Sequence, residues 1–150
     1  VDTLIEVAHH LPAAITTIGD LSCGNAMIAR SFPNVRLTLG DFAPGYEIQG
    51  KIEDTIGTID PVDLYVLTET LEHLDDPGAV LREIRDKTRF LLVSTPVDCW
   101  EDTNREHYWA WSREGVEELM TDAGFTVLTY NIIDSRTYGE PYCYGIWSCE

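Results

Sequence analysis

Residues Thr68–His73 read Thr-Glu-Thr-Leu-Glu-His, setting two carboxylates and an imidazole within six positions. The apolar run Val62–Leu67 (VDLYVL) lies directly upstream. The group therefore falls at the carboxyl end of a buried strand, where α/β proteins bind ligands. If the segment turns helical, Glu69 and His73 stand four residues apart and Glu69 and Glu72 three apart, on one shared face. Carboxylates and an imidazole converging in this way can hold a divalent metal ion or supply a general base. His107 follows the next apolar run, Phe90–Ser94 (FLLVS), in a loop that opens on the same sheet edge. Glu69, Glu72, His73 and His107 are thus the candidate metal ligands, and His73 and His107 the candidate catalytic groups. The alternative is a surface segment in which Glu72 is solvated and His73 packs or bonds locally.

A second constellation lies at Thr16–Ala29, TTIGDLSCGNAMIA. A tight turn after a parallel strand leaves backbone close to a ligand, and the following helix offers free N–H groups. Asp20, directly after the strand, would repel a dinucleotide pyrophosphate but would tolerate a cofactor carrying positive charge. Asp41, at the end of the following strand, is placed to accept two ribose hydroxyls. It would otherwise be a turn residue before Pro44-Gly45.

The elements that must position these residues alternate between apolar bursts and helical stretches, which predicts α/β layering. Strands are expected at Ala14–Ile18, Val35–Leu39, Val62–Leu67 and Phe90–Ser94, with a short helix from Ala26 to Phe32 stopped by Pro33. Asp76 can cap a helix that has Pro77 in its first position. Ser112 can cap another, closed by Gly124. Phe125–Ile133 and Tyr142–Ser148 are joined by a short connection and should pair antiparallel. Tyr46–Gln49 follows Asp41 too closely for a helical crossover. That third strand must lie at an edge, pair differently, or not exist.

The chain has 150 residues, with 26 acidic and 10 basic, for a formal charge of -16. One domain over residues 1–150 is expected. The charge disfavours nucleic acid and anionic lipid. Arg82, Arg85, Lys87 and Arg89 read as a solvated helix face. Cys23, Cys99, Cys143 and Cys149 form no CxxC pair and are expected as reduced, mostly buried thiols. No apolar run can span a membrane and no charged-then-apolar leader is present, so the expectation is cytoplasmic. Trp100, Tyr108 and Trp109 either wall a substrate pocket or anchor their loop into the core.

These motifs, in this order, resemble the class I S-adenosylmethionine-dependent methyltransferases over nearly the whole chain, from about Ala14 to Cys149. Ile18–Ala29 resembles the family's glycine-rich first motif: Asp20 keeps the acid and Gly24 the middle glycine, with Ser22 and Ala26 in place of the outer two. Leu39-Gly40-Asp41 resembles the second motif, and Gln49–Asp54 the adenine-binding segment, with Lys51 where the family commonly has aspartate. Asp63–Pro77 is the nearest match. The resemblance implies a single three-layer Rossmann-like sandwich. Its mostly parallel seven-stranded sheet would carry an antiparallel last strand and be trimmed after the second strand. It implies S-adenosylmethionine held by Asp20, Ser22, Cys23, Gly24, Asp41, Phe42, Ile52, Glu53, Thr68 and Glu69. The ExxEH pattern with a downstream histidine is similar to ubiquinone-biosynthesis O-methyltransferases and small-RNA 2′-O-methyltransferases, which implies Mg2+ or another divalent cation as an option. The expected reaction is methyl transfer to an oxygen or nitrogen of a small-molecule acceptor, and a homodimer is allowed. The alternatives are a non-catalytic S-adenosylmethionine-binding or partner subunit, and a 2′-O-methyltransferase acting on RNA ends. A nicotinamide-dependent oxidoreductase is disfavoured by Asp20 and by the missing GxGxxG.

Overall fold

The computed structural model describes all 150 residues, Val1–Glu150. Its elements run α1 (Asp2–His9), β1 (Thr17–Asp20), α2 (Met27–Arg30), β2 (Arg36–Asp41), β3 (Ile48–Gln49), α3 (Ile52–Thr55), β4 (Val62–Thr68), α4 (Pro77–Lys87), β5 (Thr88–Val97), α5 (Arg113–Asp122), β6 (Val127–Asp134) and β7 (Cys143–Cys149). The seven strands form one sheet in the order β3-β2-β1-β4-β5-β7-β6. Pairs from β3 through β5 are parallel. β7 inserts antiparallel between β5 and β6. The sandwich expected from the sequence is therefore the observed one, antiparallel last strand included.

Alternation within the central strands builds two cores. Tyr65 and Leu67 of β4, with Leu91 and Val93 of β5, join a cluster that includes Leu81 and Ile84 of α4 and Val116 and Met120 of α5. The intervening Leu64, Val66, Phe90 and Leu92 face the other way, against Leu4 and Ala8 of α1 and Ile28 and Ala29 of α2. Both faces of β4 and β5 are buried, so the middles of both strands, Leu64–Leu67 and Phe90–Val93, read as continuous apolar runs.

The third strand exists, at the edge. It pairs with β2 at two positions only, Gly40↔Ile48 and Asp41↔Gln49. The six residues between Asp41 and Ile48 make that return as a loop, with no helical crossover. Gly40 is what permits the approach. A Cβ there would lie 2.7 Å from the Ile48 carbonyl oxygen and 2.9 Å from Leu21.

Several boundaries differ from the sequence expectation. β1 and β2 each run on to their terminal aspartate, because a strand tip at a ligand edge tolerates a polar residue. α2 has four residues and starts late, because Ala26 is left-handed at φ 57. α1, not foreseen, covers the sheet through buried Leu4 and Ala8, with Val7 packed beside them. The basic residues near the end of α4 are less free than a solvated face. Arg85 donates to the Gly124 and Thr88 carbonyls, and Lys87 to those of Gly57 and Ile59. Asp76 and Ser112 cap α4 and α5 through the N–H groups of Ala79 and Gly115, as expected. Cys23 and Cys149 are buried, while Cys99 and Cys143 are only half-buried.

Candidate active site

The carboxyl ends of β1, β2, β4 and β5 open on two neighbouring hollows. The first, of about 380 Å³, is lined by Asp20, Cys23, Asn25, Thr68, Glu69, Ser94 and Tyr144, with an apolar wall from Leu4, Ile28 and Ile146. The second, of about 280 Å³, is lined by Ser22, Asp41, Phe42, Gly50, Ile52, Glu53, Thr70, His73 and Tyr108. Between them the loops after β1 and β4 are clasped by the Thr70 hydroxyl donating to Ser22 Oγ at 2.8 Å. Of the residues expected to hold a cofactor, Gly24 alone lines neither hollow. Its N–H donates to Asp41 Oδ2 at 2.8 Å, and Tyr46 donates to its carbonyl. Asp41 Oδ1 accepts from Ala43 N–H at 2.8 Å. Each Asp41 oxygen retains a lone pair for a further donor.

Asp20 is 4% exposed. Its carboxyl is pushed up to about 8, chiefly by burial, with the Ser22 N–H bond a partial offset and Asp41 adding repulsion. Burial thus favours its neutral form, and a cationic group placed beside it would favour the charged one. An acid whose pKa rises on folding destabilises the folded state once the unfolded chain ionises. The effect is absent below about pH 4, grows as pH rises toward 8, and is complete above. Asp20→Asn is therefore expected to raise the urea midpoint at pH 8 and to leave it nearly unchanged at pH 4. Equal shifts at both pH values would contradict a burial-driven effect.

The segment 68–73 is not a helix. Glu69 is left-handed at φ 50, and only Leu71–His73 coil, as a single 3-10 turn. A non-glycine residue in this region is uncommon. The turn sends Glu69 back to β5, where its N–H donates to the Ser94 carbonyl at 3.0 Å. Its Oε1 accepts from Ser94 Oγ at 2.5 Å. Burial raises the Glu69 carboxyl to about 7, against the opposing Ser94 bond. Glu69 consequently parts from Glu72 and His73, contrary to a shared helical face.

Glu72, His73 and His107 do come together, with one ligand atom from each lying within 4.8 Å of the others. Glu72 is 2% exposed and accepts from the Thr95 hydroxyl at 2.9 Å. Burial raises its carboxyl, outweighing the opposing hydrogen bonds and the neighbouring imidazoles. His73 Nδ1 bonds the Glu106 carbonyl at 2.8 Å, which makes Nδ1 the protonated nitrogen and leaves Nε2 free. His107 Nδ1 bonds Asp102 Oδ2 at 2.5 Å, which leaves its Nε2 free in the same way. The two rings meet edge to face, 4.7 Å between centroids.

The loop from Asp98 to Trp111 is stitched to this turn. Tyr108 N–H donates to the Glu72 carbonyl and Trp109 Nε1 to the Leu74 carbonyl. Trp109 thus anchors the loop and stacks on Trp111. Tyr108, 62% exposed, lines the second hollow, and Trp100, 64% exposed, lines a separate one of about 730 Å³ beside Asp102 and Tyr142. The wall and anchor readings of these aromatics divide between residues. Ser94, Thr95, Asp102, Tyr142 and Tyr144 were not singled out from the sequence. Their places follow from strand register, such as Thr68↔Ser94 and Pro96↔Tyr144, which spacing does not encode. His9 stacks on Phe32 and His10 bonds the Glu6 carbonyl, both away from the site.

No protein-family model matches the sequence. No curated protein matches it either. Solved structures do share the fold. The small RNA methyltransferase HEN1 superposes with a TM-score of 0.77 at 16% identity, over 99% of this chain and 25% of its own. The 1,6-didemethyltoxoflavin-N1-methyltransferase of Burkholderia thailandensis, solved with 1,6-didemethyltoxoflavin and S-adenosylhomocysteine, gives 0.77 at 16% identity, over 99% of this chain and 76% of its own. The [4+2]-cyclase SpnF gives 0.72 at 14% identity, over 99% and 78%. The chain thus spans a quarter of HEN1 and about three quarters of the other two. The fold is that of the class I methyltransferases, and a cyclase shares it, so the reaction must be argued from the site. No helix is long and apolar enough to cross a membrane.

Proposed function

We propose that this chain is an S-adenosylmethionine-dependent methyltransferase that acts on an oxygen or nitrogen of a small-molecule acceptor. The observation that carries the reading is the buried, cation-free carboxyl of Asp20 at the rim of one hollow, next to a second hollow edged by Asp41, Phe42, Ile52 and Glu53. A ligand with an ammonium and a sulfonium would supply the charge that Asp20 lacks. A pyrophosphate would add repulsion instead. Asp41 would take the ribose hydroxyls, Ile52 and Phe42 would cover the adenine, and Glu53 would reach its amine. Cys23, Thr68 and Glu69 would line the amino acid half, with Ser22 and Gly24 shaping the loop between the halves.

One carboxylate and two imidazoles with tethered Nδ1 atoms form a donor set that suits a divalent ion, transition ions more than Mg2+. Glu72, His73 and His107 would hold it, and when bound it would lower the pKa of an acceptor hydroxyl. Glu69 stands outside that group and titrates near neutrality, so it can take the acceptor's proton. Methyl transfer asks mainly for alignment of acceptor and methyl group. The apolar wall of the first hollow favours a small, partly apolar acceptor. A charge of -16 opposes an RNA substrate.

Isothermal calorimetry tests the reading. S-adenosylmethionine and S-adenosylhomocysteine should bind and NAD should not. Asp41→Ala removes charge-assisted bonds worth about 1.5–3 kcal/mol and should weaken S-adenosylhomocysteine by about 10- to 100-fold. Unchanged affinity would remove Asp41 from the ribose. Turnover of a substrate panel, read as S-adenosylhomocysteine formed, separates an enzyme from a non-catalytic binder.

A further inference from the structure

His107 is held by side chains from outside the Glu72–His73–His107 group. Its Nδ1 lies 2.5 Å from Asp102 Oδ2, and Asp102 Oδ1 accepts from the Tyr142 hydroxyl at 3.1 Å and from Asn104 N–H at 2.9 Å. The Tyr142 ring also packs against His107, 5.4 Å between centroids. The side chains of His107 and Asp102 are only 8% and 14% exposed. Asp102 is thus an acceptor fixed on its other oxygen by two donors, and the His107 atom that faces it is Nδ1.

We infer that Asp102, braced by Tyr142, is a positioning residue that locks His107 in the Nδ1–H tautomer and turns its bare Nε2 toward Glu72 and His73. The inference rests on the metal reading of this site and adds an outer layer to it. The brace joins two loops distant in sequence. Asp102 belongs to the connection after β5, and Tyr142 to the connection that enters β7. His73 reaches the same tautomer through a backbone carbonyl, which no side-chain substitution removes. His107 alone depends on a carboxylate, so its orientation is the adjustable one. A carboxylate on the far nitrogen also raises the basicity of the near one.

The test uses Co2+, whose ligand-field absorption reports ligation directly. Asp102→Ala should weaken Co2+ binding by about 10- to 100-fold, with circular dichroism and S-adenosylhomocysteine affinity unchanged. Asp102→Asn keeps an oxygen for Nδ1–H but adds an N–H that can face a bare Nδ1 and removes the carboxylate charge, so it should recover only part of the loss, and Tyr142→Phe should show a smaller one. Imidazole 15N spectra of the metal-free protein read the tautomer without any ion. The wild type should show protonated Nδ1 and bare Nε2 at His107, and Asp102→Ala a mixture. Wild-type Co2+ affinity in Asp102→Ala, or a protonated Nε2 in the wild type, would overturn the inference. A protein that binds no Co2+, yet loses the Nδ1–H tautomer on Asp102→Ala, would remove the metal reading and leave the tautomer lock standing.

Discussion

Glu72→Gln should cut methyl transfer by about 10²- to 10³-fold, corresponding to the several kcal/mol that a bound divalent ion contributes. The substitution is close to isosteric. The amide oxygen can still accept from Thr95, which now donates to Glu72 Oε2 at 2.9 Å. The backbone carbonyl of residue 72 keeps its bond from Tyr108. What disappears is the one carboxylate of the Glu72–His73–His107 group. S-adenosylhomocysteine affinity should hold, because Glu72 lines neither hollow. The loss should therefore fall on kcat and on dependence on added metal. A variant with wild-type turnover and unaltered response to a chelator would show that the three side chains form a structural knot.

Trp147→Ala should cost about 3–5 kcal/mol of stability, much of what a domain of this kind possesses. Trp147 is fully buried on β7, opposite Val93 of β5 and Tyr130 of β6. Its indole packs in the larger core with Val116, Met120 and Phe125, and its Nε1 donates to Glu117 Oε1 at 3.2 Å. Gly145, two residues earlier on the same face, has no Cβ because the indole ring occupies that space. Truncation thus leaves a large void beside a glycine that cannot fill it. Urea unfolding should show a lower midpoint at an unchanged slope. A loss under about 1 kcal/mol would mean that the layer collapses freely onto the gap.

The central strands were legible because β4 and β5 are buried on both faces, so their middles, Leu64–Leu67 and Phe90–Val93, are continuously apolar. The edge was harder to read. β3 pairs through two residues, and its place depends on Gly40, whose role is a close approach that composition alone does not reveal. Helix α1 fully buries Leu4 and Ala8 and half-buries Val7, too narrow a stripe to stand out. At the site, Asp20 and Asp41 were readable because a carboxylate at a strand tip is a local pattern. Glu72, His73 and His107 were readable as a set of residue types. The placement of Glu69 was not, because spacing assumes a helix and the backbone at Glu69 turns left-handed instead. Asp102 and Tyr142 carry no signal, because they meet only through the tertiary approach of two loops 40 residues apart.

The most direct measurement is a crystal structure of the protein grown with S-adenosylhomocysteine. The expected density spans both hollows, with the adenine on Ile52, the ribose at Asp41 and the amino acid half beside Asp20. Density elsewhere on the surface, or two empty hollows at a concentration that saturates binding in solution, would contradict the cofactor assignment.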